Sequence, residues 1–149
     1  MDIRPIAPTD KELYRDLLAS LSDRDRYLRF FHTVRQVGEA EIEPFLRPNP
    51  DMVGFLVIEN GAAIGAAHAF VDRKRSSAEF AIEVRPQYRH RGIGAKLLDR
   101  IVCELRTRGV RELIAHSLSD NTEFGLVAAD ARMHSEPEGA GVNLWRLRL

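Results

Sequence analysis

The feature that most constrains the fold of this chain is a glycine turn between an apolar strand and an amphipathic helix, within residues 84–98. Glycine has no Cβ, so a ligand can approach its backbone closely. The free N–H groups and the positive dipole at the start of a helix attract anionic oxygen. The pattern therefore predicts a strand, a phosphate-binding turn and a helix in succession. The residues of the turn are Arg89, His90, Arg91, Gly92, Ile93 and Gly94.

The turn does not match two better-known phosphate loops. Gly94 is followed by Ala95 and Lys96, whereas a P-loop continues with Lys and then Ser or Thr. Leu97 stands where a dinucleotide-binding fold has its third glycine. The two arginines of the turn would add mobile positive charge beside the amides. A pair of glycines also fits an ordinary strand-to-helix turn, so the rest of the chain must decide between these interpretations.

Composition limits the class of protein. The chain has 149 residues, of which 44% are hydrophobic and 30% charged, and this suits one globular domain spanning residues 1–149. Lys and Arg total 22, and Asp and Glu also total 22, so no overall field favours nucleic acid or an anionic membrane as a partner. No repeat, low-complexity segment or linker marks a second domain.

Cysteine and histidine content limits the redox and metal chemistry. The single cysteine, Cys103, excludes an internal disulfide and a cysteine metal cluster. The histidines have no metal-ligand spacing, so we expect no metal. No run of residues is long and apolar enough for a signal peptide or a membrane span, and we expect a soluble, cytoplasmic protein.

Hydrophobic patterning divides the chain into strands and helices. Asn60 and Gly61 suit the positive φ angles of a tight hairpin turn between two apolar runs. Hairpins followed by one strand–helix–strand crossover predict an α/β (α+β) fold, in which helices flank a mixed, mostly antiparallel twisted sheet. Strands are predicted at about 2–7, 52–59, 62–72, 77–84, 110–118 and 142–149, and helices at about 8–21, 22–31, 40–46, 93–108 and 121–131.

In this order and spacing, the turn and the surrounding elements resemble the GNAT superfamily of acyl-CoA-dependent N-acetyltransferases, nearly from end to end. The resemblance implies the GNAT fold, an acyl-CoA-binding β-α-β crossover and acetyl-CoA as cosubstrate. It also implies that the turn amides hold the CoA pyrophosphate, and that a bulged fourth strand pairs with the acetyl carbonyl and pantetheine. The implied CoA-binding residues are Val84, Arg85, Arg89, His90, Arg91, Gly92, Ile93, Gly94, Ala95, Lys96, Asn121 and Phe124.

A closer likeness is to the GNAT domain of bacterial protein-lysine acetyltransferases, the group that controls acyl-CoA synthetases. It implies a protein acceptor, with an acyl-CoA synthetase as a candidate partner. Two departures matter, because Ala128 replaces the tyrosine acid of many small-molecule GNAT enzymes and residues 131–133 replace a usual Gly-Phe pair. The matching segments are 3–6 (Ile-Arg-Pro-Ile), 20–22 (Ser-Leu-Ser), 26–31 (Arg-Tyr-Leu-Arg-Phe-Phe) and 78–81 (Ala-Glu-Phe-Ala).

Acetylation of an amine requires a base. A lysine side chain has an unperturbed pKa of about 10.4, so near neutral pH it is protonated and cannot attack a thioester. Glu79 matches the position at which the resembled lysine acetyltransferases keep a glutamate base. Glu83 is the rival, because alternation puts Glu79, Ala81 and Glu83 on one face of the strand. The competing interpretation of either residue is a solvated strand face.

The other chemical roles have weaker candidates. Amide N–H groups of the bulged strand, at Val84 and Arg85, are expected to polarise the thioester carbonyl. Ser117 and Ser119 could donate a hydrogen bond to the CoA thiolate, although serines at strand ends are usually turn residues. His116 lies in the same segment and is expected to be packed rather than catalytic.

The second helix is expected to shape the acceptor site. Tyr27, Phe30 and Phe31 are predicted to form its core face, which leaves Arg26 and Arg29 toward solvent or a basic acceptor groove. Three functions stay open at this point. They are a protein-lysine acetyltransferase, an N-acetyltransferase for a small amine or amino acid, and a non-catalytic acyl-CoA-binding module.

Overall fold

In the computed structural model, which describes all 149 residues, seven strands form one sheet and five α-helices pack on it. The architecture predicted from the sequence, a mixed sheet flanked by helices, is confirmed. The strands are β1 (Asp2–Pro5), β2 (Met52–Glu59), β3 (Ala62–Asp72), β4 (Ser77–Val84), β5 (Glu112–Leu118), β6 (His134–Gly139) and β7 (Val142–Arg148). The helices are α1 (Lys11–Ala19), α2 (Asp23–Phe30), α3 (Glu39–Ile42), α4 (Ile93–Thr107) and α5 (Thr122–Asp130).

The sheet opens between two of its central strands. The strand order is β1-β2-β3-β4-β5-β7-β6, and only β4 and β5, joined through α4, are parallel. Their pairing extends only from Ser77 opposite Glu112 to Glu79 opposite Ile114. Beyond these residues β4 stays paired with β3 and β5 stays paired with β7. The two halves of the sheet therefore separate and leave a cleft.

The bulge expected in the fourth strand is not found. β4 keeps one unbroken register with β3, from Asp72 opposite Ser77 to Gly65 opposite Val84. The irregularity of this part of the sheet lies instead between β2 and β3, at Val57. The opening of the cleft follows from the early end of the β4–β5 pairing, so a bulge in β4 is not needed to produce it.

Two apolar cores lie on opposite faces of the sheet. One core packs α4 and α5 against β2 to β5, and Leu97, Leu98 and Ile101 of α4 are almost fully buried in it. The other packs α1 and α3 against β2 and β3, and it includes Tyr14 and Leu17. Helices therefore cover both faces of the sheet, as the helical period of the apolar residues in α1 and α4 predicted.

The edge strand β6 was not predicted from the sequence. All six of its residues are exposed, and the strand contains Pro137 and ends at Gly139. Proline and glycine disfavour strands, but proline is tolerated at an edge where its missing N–H faces solvent. β6 pairs with β7 alone. None of the five helices combines the length and apolar character needed to cross a membrane.

The predicted orientation of α2 is wrong except at Phe30, which packs against the core of α1 and α3. Arg26 is buried, and its guanidinium donates to the carbonyl oxygens of Val34 at 2.7 Å and Leu21 at 2.6 Å. Tyr27 and Phe31, predicted as core residues, have exposed fractions of 44% and 39%. An arginine can be buried when several carbonyl acceptors satisfy its donors, and here those acceptors come from the loops at the two ends of the helix.

Candidate active site

The cleft between β4 and β5 has a volume of about 450 Å³. Residues 80–84 of β4 form one wall, and His116 of β5 lies opposite them. The turn before α4 closes one end, the first residues of α5 form a second wall, and α2 borders the other face of the sheet. The predicted CoA-binding residues that line the cleft are Val84, Arg89, His90, Gly92, Ile93, Gly94, Ala95, Asn121 and Phe124.

The free backbone groups of β4 belong to alternate residues. The N–H of Arg85 donates to the carbonyl oxygen of Ile64 in β3, at 2.8 Å. Hydrogen-bonded residues alternate along an antiparallel pair, so Ile82 and Val84 direct their N–H groups away from β3 and into the cleft. Arg85 was a predicted partner of pantetheine, but its N–H is already bonded. Its side chain donates to Ala63 of the β2–β3 hairpin at 2.6 Å, away from the cleft.

The turn before α4 presents a row of free amides. The N–H groups of residues 90–95 have no acceptor within the chain, and the first bonded amide is that of Lys96, to the carbonyl oxygen of Gly92 at 3.1 Å. Gly92 has φ 78°, a left-handed conformation that favours glycine. Unpartnered amides at the start of a fifteen-residue helix fit a pyrophosphate group.

Packing favours a glycine at position 94, in addition to any contact of this residue with a ligand. A Cβ at this position would lie 3.1 Å from Cγ2 of Val127 in α5. A side chain here would therefore require Val127 to move by a few tenths of an ångström. Gly94 is buried, unlike the exposed Gly92, so substitution of Gly94 would disturb the fold as well as the turn.

Arg89 is not the mobile cation expected from the sequence. Its Nε donates to the carbonyl oxygen of Val84 at 3.2 Å, and its Nη2 lies 3.2 Å from Oδ2 of Asp25 in α2. Burial alone would raise the pKa of Asp25, but hydrogen bonds from Arg89 and Ser22 outweigh it and lower the pKa. Arg89 therefore ties the turn to α2. The exposed Arg91 lies over the ring of Tyr88, and neither it nor Lys96 lines the cleft.

The wall formed by α5 begins at Asn121. The side-chain Oδ1 of Asn121 accepts from the N–H of Phe124 at 3.1 Å and caps the helix. The ring of Phe124 packs between Phe80 and Trp145, with centroid distances of 5.6 and 6.2 Å. Ala128 is completely buried against the core. The α5 wall combines the apolar Phe124, Leu126 and Val127 with the polar Thr122, Glu123 and Asp130, and Ala128 supplies no hydroxyl.

The two serines at the end of β5 both have partners. Ser117 is buried and accepts from Nε1 of Trp145 at 2.9 Å. Ser119 donates its hydroxyl to the carbonyl oxygen of Gly141 at 3.0 Å. Ser119 is therefore committed to the turn between β6 and β7, in keeping with the turn interpretation of its sequence position.

Glu79 lies where β4 and β5 separate, on the face of the sheet that α2 borders. Half of its side chain, 53%, is exposed, and it borders the cleft rather than lining it. Its Oε1 is 2.5 Å from Nδ1 of His116, and Nε2 of the same ring is 2.9 Å from Oε2 of Glu138. The structure thus brings Glu79 and His116 together. Nothing in the sequence pattern pointed to Glu138, because β6 itself was not predicted.

Glu83, the rival carboxylate, is buried and fully engaged. It accepts from the hydroxyl of Tyr14 at 2.8 Å and from Nε of Arg29 at 2.8 Å. Burial and the Glu83 carboxylate raise the pKa of Tyr14 well above its usual range, so the hydroxyl stays protonated. Beside this network, burial and the Arg29 guanidinium lower the pKa of His68 to about 3, and its ring stays neutral.

The two arginines predicted to make the acceptor side of the cleft basic do not do so, although the exposed Arg24 of α2 lines the cleft. Arg26 is buried among carbonyl groups and Arg29 is neutralised by Glu83. Leu28 lines the cleft, and Tyr27 and Phe31 lie exposed beside it on the helix surface. We call Tyr27 and Phe31 the aromatic stripe. No group of three or more His, Cys, Asp or Glu side chains is placed to hold a metal ion.

Comparison with known proteins agrees with this architecture. A model of the acetyltransferase (GNAT) family matches residues 12–123. The GNAT domain of S. lividans PAT has a TM-score of 0.92 and 25% identity, over 99% of this chain and 89% of that one. An acetyltransferase of the GNAT family from Streptococcus pneumoniae has a TM-score of 0.78 and 21% identity, over 99% of both chains. The PaiA N-acetyltransferase of Thermoplasma acidophilum was solved in complex with coenzyme A. It has a TM-score of 0.78 and 14% identity, over 99% of this chain and 98% of that one.

Proposed function

This chain belongs to the acetyltransferase (GNAT) family, whose members are acyltransferases that use acetyl-CoA, and we propose that it acetylates lysine side chains of proteins with Glu79 as general base. The observation that carries the proposal is the position of Glu79. It is the half-exposed carboxylate at the point where the sheet opens, whereas Glu83 on the same face is buried and engaged. A general base must be reachable by the substrate that it deprotonates.

Acetyl-CoA supplies an activated acyl group as a thioester. The free amides of residues 90–95 would hold its pyrophosphate, and the N–H groups of Ile82 and Val84 lie along the cleft where the pantetheine arm and thioester carbonyl would pair. Glu79 takes a proton from the ammonium group, directly or through water. The freed nitrogen pair forms the N–C bond, the C–S bond breaks, and its electron pair leaves on the thiolate. The thiolate takes up the second proton of the nitrogen, directly or through water, which gives a neutral amide and free CoA.

A protein acceptor is supported by three observations. The structure most similar in sequence among those named above is the GNAT domain of a protein acetyltransferase, S. lividans PAT. Exposed aromatic side chains beside a cleft are typical of protein interaction sites, and the aromatic stripe supplies them. Ala128 removes the tyrosine acid of many small-molecule enzymes. An acyl-CoA synthetase in the cytoplasm remains the candidate acceptor that the resemblance indicates.

The acceptor is tested by incubating the protein with acetyl-CoA and panels of folded proteins and free amines. We expect mass spectrometry to find acetyl-lysine on acyl-CoA synthetases above the uncatalysed background. Replacing Tyr27 and Phe31 by serine should raise the KM for the protein acceptor, while the acetyl-CoA affinity stays unchanged. Efficient turnover of polyamines or amino acids without protein acetylation would establish the small-amine alternative. Absence of CoA release with every acceptor would establish the binding-module alternative.

The CoA site is tested by Ala95→Glu. Ala95 is the third residue of α4, and a glutamate there reaches back to the free amide at the helix start, the group proposed to bind phosphate. We expect the dissociation constant of CoA, measured by calorimetry, to rise at least about tenfold, because the carboxylate repels the pyrophosphate. An acidic residue in the first turn does not destabilise a helix, so the melting temperature should be preserved.

The matched control for this variant is Ala95→Gln, which has the same size without the charge. It should bind CoA nearly as well as the unmodified protein. Equal CoA affinity of the Glu and Gln variants would contradict the placement of the pyrophosphate at this turn.

A further inference from the structure

We propose that Glu138, on the edge strand β6, is a positioning residue that acts on Glu79 through the ring of His116. The inference rests on the proposed role of Glu79 as general base. Its starting point is the row of three side chains from three strands, Glu79 on β4, His116 on β5 and Glu138 on β6. The strand β7 lies between β5 and β6, so Glu138 reaches across it to the ring.

The backbone of β6 is irregular at Glu138. Pro137 pairs with Asn143 and Gly139 pairs with Val142, so Glu138 is an extra residue in β6 without a partner in β7. Such an extra residue is a β-bulge. Glu136, two residues earlier and regularly paired, instead bonds to Arg146. Alternation puts Glu138 on the same face as Glu136, which pairs with Leu144 opposite His116, and the bulge leaves Glu138 without a partner in β7.

Both ring nitrogens of His116 are engaged. A carboxylate and an unprotonated ring nitrogen are both acceptors, so each of the two contacts, at 2.5 and 2.9 Å, requires a shared proton. The arrangement therefore fits an imidazolium ring between two carboxylates. Contacts at both nitrogens fix the plane of the ring, which in turn fixes Oε1 of Glu79 and leaves its other oxygen for the acceptor.

The ring of His116 has two charged partners. Glu138 places a second carboxylate at the ring, 2.9 Å from Nε2. The other charged groups of the surrounding elements include Glu136, Arg146, Glu112, Arg24 and Asp25, and Asp120, Glu123 and Asp130 also line the cleft. Asp25 is bonded to Arg89 and Glu136 to Arg146, so the partners in contact with the ring are Glu79 and Glu138.

The proposal is tested with Glu138→Gln, His116→Ala and their combination, using the acceptor found in the panel above. We expect Glu138→Gln to lower kcat about threefold to tenfold, with unchanged acetyl-CoA affinity. In the His116→Ala background, Glu138→Gln should have no further effect. An equal loss in both backgrounds would overturn the proposal.

Two further variants separate positioning from other roles. His116→Asn keeps a side-chain N–H near the place of Nδ1, so it should recover part of the activity that His116→Ala loses. Glu136→Gln is the control on the same exposed strand and should leave kcat unchanged. An Asn variant as impaired as the Ala variant would contradict positioning by that hydrogen bond.

The same assays distinguish failure of this inference from failure of the proposed base. Full activity of Glu79→Gln would overturn the role of Glu79 and this inference with it. Loss of activity in Glu79→Gln, together with unchanged kcat in Glu138→Gln and His116→Ala, would overturn only the role of Glu138 and His116.

Discussion

Replacement of Glu79 by glutamine is expected to lower kcat about a hundredfold, within the range that loss of a general base produces. Glutamine keeps the size of the side chain and can still bond to His116, but it cannot accept the amine proton at neutral pH. Glu79 lies outside the CoA turn, so the dissociation constant of acetyl-CoA should stay the same. Steady-state kinetics and calorimetry on the same preparation measure the two quantities.

The rate–pH profile gives an independent measure of the same role. In the unmodified enzyme, kcat/KM should fall toward acid pH as the base becomes protonated. That acid limb should vanish in Glu79→Gln, because the group that titrates is gone. The variant should also keep its melting temperature, since the contact of Glu79 with His116 is partly exposed and exposed ion pairs contribute little to stability.

Glu83→Gln is the comparison that decides between the two carboxylates. Glu83 is buried against Tyr14 and Arg29, so its replacement should reduce stability, with a smaller loss of kcat in the fraction that remains folded. A larger kcat defect in folded Glu83→Gln than in Glu79→Gln would show that Glu79 is the wrong carboxylate.

The parts of the fold that sequence patterns predicted are those determined by local chemistry. Asn60 and Gly61 form the expected hairpin turn, with φ angles of 53° and 77°. Gly92 starts α4 in a left-handed conformation, as the glycine turn indicated. Strand alternation predicted that Glu79 and Glu83 share a face. These features depend on neighbours a few residues away, so the local pattern contains the information.

The features that the sequence did not predict depend on partners distant in the chain. β6 has no alternation of apolar and polar residues, and only its pairing with β7 makes it a strand. Its absence from the prediction also hid Glu138. Arg26 was expected in solvent because its burial depends on carbonyl groups of the loops around α2. Alternation placed Glu83 on the correct face but could not distinguish it from Glu79, since Arg29 and Tyr14 come from other elements.

Replacement of Arg29 by methionine is expected to lower the free energy of unfolding by about 3 kcal/mol or more, because it leaves a buried carboxylate without its cation. The exposed fractions of the two side chains are only 12% for Arg29 and 2% for Glu83. Burial alone would lower the pKa of Arg29, but Glu83 and Tyr14 raise it, so the guanidinium stays charged. Urea denaturation at neutral pH measures the change.

The double variant Arg29→Met/Glu83→Gln distinguishes a lost charge pair from lost packing. With both charges gone, the neutral amide that replaces the Glu83 carboxylate still offers an acceptor to the hydroxyl of Tyr14, so no buried charge remains uncompensated. The double variant should therefore be more stable than the sum of the single changes predicts, with a coupling energy of about 2 kcal/mol. Additive changes would contradict a buried ion pair. Coupling would identify Glu83 as a structural carboxylate, which leaves Glu79 as the carboxylate on this face of β4 that an acceptor amine can reach.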